Sequence, residues 1–293
     1  VDTLMLKGAP VRDAVFAELK AKIASVRRPP GLAVVLVGDD AASAVYVSHK
    51  EKGCDEVGFH HVTHRLPAST PGADVLALVA RLNADPAIDG ILVQLPLPAG
   101  IDQEAVLLAV DPRKDVDGFH PANLGQLVSG RPRFVPCTPK GVLRLLAHYD
   151  ITTRGKRVAV VGRSVIVGRP VSLLLSLKGV MGDATVTMCH SATRDLPAVT
   201  SACDIVIAAI GAPRFLGADA IAPGAVVVDV GINRIDDPTR PSGQRLVGDV
   251  DEAAVKGRAA ALTPVPGGVG PMTIAMLLEN TWEAYARAEG IDV

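Results

Sequence analysis

The sequence predicts an α/β protein made of two α/β units. Three observations carry this. Strand-like and helix-like segments alternate along the chain. The strand candidates of its second half are continuous Val/Ile/Ala runs, which suit parallel strands covered on both faces by helices. Its 293 residues are enough for two units that each bury a core.

In the first part, strands are predicted at 32–37, 61–66 and 90–93. The first helix, Ser43 to Val57, takes Ser43 as N-cap and carries an apolar stripe of Val47, Cys54 and Val57. A second helix covers 73–82 and stops short of Pro86. A proline-punctuated stretch follows, and the boundary between units is expected between Pro132 and Arg157. Thr138-Pro139 opens an amphipathic helix to about His148, with proline at its first position. Strands of the second series are expected at 157–161, 185–188, 205–210 and 226–230. Residues 271–288 read as a long final helix that returns to the first unit. The expected division is therefore 1–140 with 271–293, and 141–270.

Composition excludes several classes. Hydrophobic residues make up 48% and charged residues 21%, which is globular and not disordered. A formal charge of −1 and only 3% aromatics argue against a nucleic-acid partner or an acidic membrane surface. No apolar run approaches the length that spans a bilayer. The N-terminal stretch lacks a signal-peptide core and starts with Val rather than Met. Cys54, Cys137, Cys189 and Cys203 form no Cys-x-x-Cys pair and are expected as buried, reduced thiols in the cytoplasm. His60, His61 and His64 fall on both faces of one strand, so no metal site is expected there.

Lys50 lies on the apolar stripe of its helix, and Tyr46 one turn earlier projects from the same face. Two readings are open: the ammonium snorkels to an edge, or it lines a wet, chemically active cleft. Gln94 stands at the carboxyl end of a strand, the ligand-facing side of an open α/β sheet. Asp115 and Asp117 precede the turn at Gly118, and such residues also serve simply as turn formers. Thr263 to Thr273 is a rigid proline–glycine loop containing Pro266, Gly267 and Gly268, which bring backbone groups close to a flat ligand.

The run Val158-Ala-Val-Val-Gly162-Arg163-Ser164 to Gly168 reads as strand, glycine turn and helix, a Rossmann-like dinucleotide site. Gly162 permits the tight turn, and Gly168 lets the helix pack closely on the sheet. The helix N-terminus then faces a phosphate. A ligand-free βα turn would use the same glycines. The next strand ends in Cys189-His190-Ser191, with no acid to take ribose hydroxyls. Arg163 and Ser191 suit a 2′-phosphate instead, which favours NADP over NAD.

Together Tyr46-Val-Ser-His-Lys50-Glu-Lys-Gly-Cys54, Val93-Gln-Leu-Pro-Leu-Pro98, Lys114-Asp-Val-Asp-Gly-Phe-His120, Pro136-Cys-Thr-Pro-Lys-Gly141, the turn from Gly162, Cys189-His-Ser191 and the loop from Pro264 resemble one family. It is the bifunctional methylenetetrahydrofolate dehydrogenase/methenyltetrahydrofolate cyclohydrolase family, and the motifs occur in its order over nearly the whole chain. The resemblance implies NADP-dependent oxidation of 5,10-methylenetetrahydrofolate, then hydrolysis to 10-formyltetrahydrofolate, in one-carbon metabolism that feeds purine synthesis. It implies Lys50 as catalytic lysine with Tyr46 and Gln94 beside it, and Asp117 as the pterin anchor. Folate would also meet Tyr46, Pro266, Gly267 and Gly268. NADP would meet Gly162, Arg163, Ser164, Gly168, Ser191 and Ile232. It implies a homodimer with a small-molecule folate substrate. No P-loop or extra length accommodates the ATP-dependent ligase of fused relatives. Gly53 stands where many relatives carry alanine, which is expected to loosen its helix by about 1 kcal/mol. A different NADP dehydrogenase, resembling shikimate dehydrogenase, would leave Gln94, Asp117 and the 264–273 loop unexplained.

Overall fold

A computed structural model describes residues 2–240 and 243–292. In chain order its elements are β1 (Leu4–Met5), α1 (Gly8–Ile23), β2 (Gly31–Val37), α2 (Ala41–Val57), β3 (His60–Leu66), α3 (Gly72–Ala84), β4 (Gly90–Val93), α4 (Gln103–Ala109), α5 (Pro121–Val128) and α6 (Cys137–His148). They continue with β5 (Arg157–Val161), α7 (Gly168–Ser176), β6 (Thr185–Cys189), α8 (Leu196–Thr200), β7 (Ile205–Ala208) and β8 (Val226–Asp229). The last are β9 (Asn233–Asp236), β10 (Gln244–Val247), α9 (Glu252–Val255), β11 (Ala261–Leu262) and α10 (Val269–Ala288). The chain divides into a first unit, Asp13–Cys137 with Ile274–Val293, and a second, Val1–Arg12 with Thr138–Thr273.

The first unit is built on a parallel sheet in the order β3-β2-β4. β2 is buried along its whole length, because a central parallel strand is covered on both faces. One face packs Ala33, Val35 and Val37 with Val75 and Val79 of α3 and Ile91 and Val93 of β4. α2 starts earlier than its sequence suggests. Asp40, not Ser43, is its N-cap, and the Asp40 carboxylate accepts the Ser43 N–H at 2.7 Å. A carboxylate at that end also complements the helix dipole, while Ser43 is buried. Gly58, at φ +86°, ends the helix by donating its N–H to the Cys54 carbonyl.

α1 has no counterpart among the predicted elements, although Val15, Phe16 and Leu19 recur on one buried face. Gly53 finds a packing role. A Cβ there would stand 3.1 Å from Ile274 Cγ2, 3.4 Å from Leu278 Cδ1 and 3.5 Å from Phe16 Cζ. The missing methyl lets α2 approach α1 and α10 closely.

The chain between α1 and β2 is tied down by Arg28, which pairs with Asp89 and, at 3.0 Å, with Glu289. Arg28 grips the buried Asp89 with two bonds of 2.7 and 2.8 Å, and Asp89 also accepts the Gly31 N–H at 2.7 Å. Arg28 stacks over Tyr285, 4.7 Å from the ring centre. Arg28→Ala leaves a buried carboxylate without its cation, which costs more than an exposed pair is worth. The variant is expected to lose about 2 kcal/mol in urea unfolding.

The second unit carries a parallel sheet in the order β1-β11-β8-β7-β5-β6. Residues 1–12 belong here and not to the first unit, where the sequence placed them. Leu4 and Met5 pair with Ala261 and Leu262, and a strand this short has no periodicity to reveal it. β5, β7 and β8 are the buried centre. β6 departs from the expectation of two covered faces: it is an edge strand, and Thr185, Thr187 and Met188 are exposed. β7 and β8 stop at Ala208 and Asp229, short of the predicted ends, because the following backbone turns toward buried carboxylates. β9 and β10 form a separate antiparallel pair that the Val/Ile/Ala criterion does not detect.

Candidate active site

In the first unit, parallel pairing sets the site. β4 ends at Val93, and the Gln94 N–H continues the ladder to the Val35 carbonyl at 2.8 Å. The Gln94 side chain therefore stands at the carboxyl ends of β2 and β4. α2, following β2, brings Lys50 to the same place on the stripe whose Val47, Cys54 and Val57 are buried. Lys50 Nζ donates to Gln94 Oε1 at 2.8 Å, and Gln94 Nε2 donates to the Leu95 carbonyl at 2.9 Å. The second bond orients the amide, because only its oxygen is then left to face the lysine. Lys50 thus meets a partner that stabilises it without adding charge.

The Asp117 loop is held from behind by Asp115. That buried carboxylate accepts N–H groups of Phe119 at 3.3 Å and His120 at 2.8 Å, and the Asn123 amide at 2.7 Å. Asp115 is thus the turn former of the pair and Asp117 the one left for other work. Gly118, at φ +74°, allows the reversal, since a Cβ there would stand 2.9 Å from Pro136 N. Cys137 Sγ donates toward Asp117 Oδ1 at 3.7 Å and the Val116 carbonyl at 3.4 Å. Asn280 braces the same stretch, donating to the carbonyls of Val116 at 2.8 Å and Val135 at 2.9 Å.

Electrostatics set both ionisable groups away from their ordinary behaviour. Burial pulls Lys50 below the usual lysine range, and the Asp117 carboxylate opposes that pull. Burial pushes Asp117 up to about 6, against the attraction of Lys50. Tyr46, one turn before Lys50, is exposed. The snorkelling reading of Lys50 is set aside by its inward bond to Gln94.

In the second unit the glycine turn packs too closely for any side chain. Gly162 lies at φ +129°, and a Cβ there would stand 2.1 Å from the Ala209 carbonyl oxygen. A Cβ on Gly168 would stand 2.2 Å from the Gly162 oxygen. Both positions exclude a side chain, and α7 begins at Gly168 with its N–H groups directed to the turn. Ser164 Oγ accepts the N–H groups of Val167 at 3.2 Å and Gly168 at 3.3 Å, which leaves its hydroxyl proton to donate.

Val161 and Cys189 are register partners on β5 and β6. Arg163 and Ser191, each two residues farther on, emerge exposed from neighbouring strand ends. The Ser191 turn is shaped by His190, whose Nδ1 accepts the Ala192 N–H at 3.2 Å. Ile232 is 44% exposed just past β8. Pro266, Gly267 and Gly268 belong to this unit. Gly267, at φ +104°, accepts the Gly8 N–H at 2.8 Å through its carbonyl. An open cleft of about 1010 Å³ lies elsewhere in the unit, lined by Arg214, Arg240, Arg245 and Lys256. Of the predicted residues only Pro266 reaches it.

Sequence reasoning missed Asp229 and Asp249. Both are buried. Asp249 accepts the N–H groups of Ile210, Gly211 and Ala212 at 2.6, 3.0 and 3.0 Å, and the Asn233 amide at 2.9 Å. Asp229 accepts from the N–H groups of Gly231, Asp249 and Val250 at 2.9, 3.0 and 2.9 Å. Burial pushes Asp229 up to about 6. The available signal was an acid closing the apolar run 226–229 and a second acid after Gly248.

A parallel-sheet unit with a close-packed glycine turn between β5 and α7, in one chain with a half-buried lysine–amide–carboxylate site, is the arrangement of an enzyme that uses a dinucleotide. The comparisons give the family. The model of the tetrahydrofolate dehydrogenase/cyclohydrolase catalytic domain matches residues 6–117, and that of its NAD(P)-binding domain matches residues 136–289. The chain belongs to the tetrahydrofolate dehydrogenase/cyclohydrolase family. It is 53% identical to the bifunctional protein FolD of Chlorobium phaeobacteroides, over 98% of this chain and 99% of that protein. It resembles the crystal structure of the Campylobacter jejuni FolD dehydrogenase/cyclohydrolase at TM-score 0.90 and 44% identity, covering 97% and 99% of the two chains. The Trypanosoma brucei enzyme, complexed with NADP and an inhibitor, matches at TM-score 0.93 and 40% identity, covering 99% of each chain.

Proposed function

We propose that this chain oxidises 5,10-methylenetetrahydrofolate to 5,10-methenyltetrahydrofolate with NADP and hydrolyses the product to 10-formyltetrahydrofolate. The observation that carries the reading is Lys50 held 2.8 Å from Gln94, beside Asp117, in a chain of this family.

NADP, when bound, supplies the hydride acceptor. Removing hydride from the methylene carbon, pushed by an adjacent nitrogen lone pair, asks the protein for placement more than for a base. Asp117 provides placement by accepting hydrogen bonds from the pterin. Tyr46 presents its ring on the same helix face as Lys50. Hydrolysis is more demanding. Water adds to the methenyl carbon and loses a proton; the hydroxyl so formed gives up its own proton as one C–N bond breaks and the departing nitrogen takes a proton up, so that one proton is released overall. A lysine with a lowered pKa can receive the first proton and return the second. The Gln94 oxygen holds one N–H of Lys50, so its lone pair is directed away from the amide.

The second unit fits the dinucleotide. Its turn takes glycine at 162 and 168 because a Cβ would strike the Ala209 and Gly162 carbonyl oxygens, and the Ser164 hydroxyl donates to phosphate. Arg163 and Ser191 take the 2′-phosphate, and Ile232 borders the cofactor. Arg163→Ala is expected to lower kcat/KM for NADP by about 10–100-fold, the loss of a charge-assisted contact, and to leave NAD nearly unaffected. Steady-state rates with both cofactors check this. A homodimer in the cytoplasm is the proposed setting, and the buried free thiols accord with a reducing compartment. Among the described residues no helix is long and apolar enough to cross a membrane.

The deciding experiment incubates the protein with methylenetetrahydrofolate and NADP and follows NADPH, methenyl and 10-formyl products. NADPH with accelerated formyl production supports both activities. Methenyl accumulation alone removes the hydrolytic role, and no NADPH removes the reading as a whole.

A further inference from the structure

The cofactor residues proposed above sit at the carboxyl ends of β5, β6 and β8. Arg163 and Ser191 hold the adenosine end at the β5–β6 side. The remainder of an extended dinucleotide then runs along the ends of β7 and β8, where the sheet continues. The ladder reaches into these loops, through the Ala209 N–H to the Val161 carbonyl, the Val230 N–H to the Ala208 carbonyl and a bridge of Leu216 to Val250, and Asn233 opens the β9–β10 pair. Between those anchor points a pair of buried acids holds the backbone.

Asp249 gathers the backbone N–H groups of residues 210–212, just past β7, and the Asn233 side chain, just past β8. Asp229 takes the Gly231 N–H and also the N–H groups of Asp249 and Val250. Ile232 is thus flanked on both sides by residues bonded to this acid pair. The neighbours leave no slack. A Cβ on Gly231 would stand 2.2 Å from Asp249 Oδ1, and one on Gly248 would stand 1.8 Å from Asp229 Oδ2.

We infer that Asp249, with Asp229 behind it, is a positioning residue that sets the loops past β7 and β8 to receive the nicotinamide half of NADP. Only an ionised carboxylate suits the place. It is acceptor-only and takes all the donors Asp249 meets, whereas an amide would turn its own N–H groups toward some of them. Asp249 reaches the cofactor through residues 210–212 and 231–233 and not by touching it. The inference rests on the NADP reading of this unit.

The test compares two ligands that share the adenosine end. Binding of NADP and of adenosine 2′,5′-bisphosphate is measured by calorimetry for the wild type and Asp249→Asn. The expected result is NADP binding about tenfold weaker in the variant, the loss of hydrogen bonds to a charged acceptor, with adenosine 2′,5′-bisphosphate binding unchanged. Wild-type affinity for NADP, or equal loss of both ligands, overturns the inference, the second because it marks a merely structural role. Should Asp249→Asn fail to fold, Asn233→Ala removes one donor and keeps the acid. It is expected to weaken NADP by a few-fold and spare the bisphosphate, and unchanged NADP affinity overturns the inference equally. Absence of NADP binding by the wild type would instead remove the cofactor reading beneath it.

Discussion

Lys50→Met protein is expected to hydrolyse methenyltetrahydrofolate about 10²–10⁴-fold more slowly than the wild type, the usual contribution of a positioned acid–base group. Oxidation of the methylene substrate is expected to suffer far less, because that step calls on placement. Methionine fills much of the same volume, so the helix face stays packed. Lys50→Arg separates charge from proton transfer. A guanidinium keeps the positive charge but does not give up its proton, so hydrolysis should fail in this variant too. In the wild type the hydrolytic rate should rise with pH through a pKa below the ordinary lysine value of 10.5, since burial lowers it. Product analysis above the buffer background measures all of this. Full hydrolysis by Lys50→Met would sink the proposed role.

Asp117→Asn is expected to combine a loss of function with a gain in stability. The loss follows from replacing an acceptor-only carboxylate by an amide that turns donors toward the pterin nitrogens. The KM for folate should rise about 10–100-fold. The gain follows from linkage. Asp117 has a folded pKa of about 6 against an ordinary 3.8, so the folded protein holds this proton more tightly than the unfolded chain does. The stabilisation is therefore fully present below pH 3.8 and is lost as pH rises through about 6. At pH 8 the wild type carries an ionised group against its burial cost, and the asparagine variant does not. Its melting temperature should exceed wild type by about 2–4 °C at pH 8, with no gain at pH 4. Asp229 titrates in the same sense but is common to both proteins, so the difference isolates Asp117. A second consequence checks the first. Asp117 raises the pKa of Lys50, so the pH profile of residual hydrolysis in Asp117→Asn should move to lower pH.

Much of this was legible along the chain. The apolar runs 32–37, 157–161 and 226–229 are strands because residues covered on both faces need no polar alternation. Lys50 announced itself by interrupting a buried stripe, and Gly162 by the turn that only glycine fits. The misses share a cause. β1 and β11 are two residues each and exist only by pairing with each other and β8. The N-cap at Asp40 and the early ends of β7 and β8 were decided by hydrogen bonds that sequence periodicity does not encode.

The sequence by itself determined the α/β class, the order of the main strands, the glycine turn, and Lys50 and Gln94 as residues set apart, whereas the choice of Asp117 over Asp115 came only with the family resemblance. Those follow from local rules: hydrophobic period, backbone freedom and the cost of burying charge. Only the tertiary structure decided that Lys50 bonds to Gln94, 44 residues away, that Asp115 rather than Asp117 closes its turn, and that Asp229 and Asp249 bind loops 20 to 39 residues distant. Pairing of distant polar groups is chosen when the core closes and each buried donor must find an acceptor, and that choice leaves no period to read in a single chain.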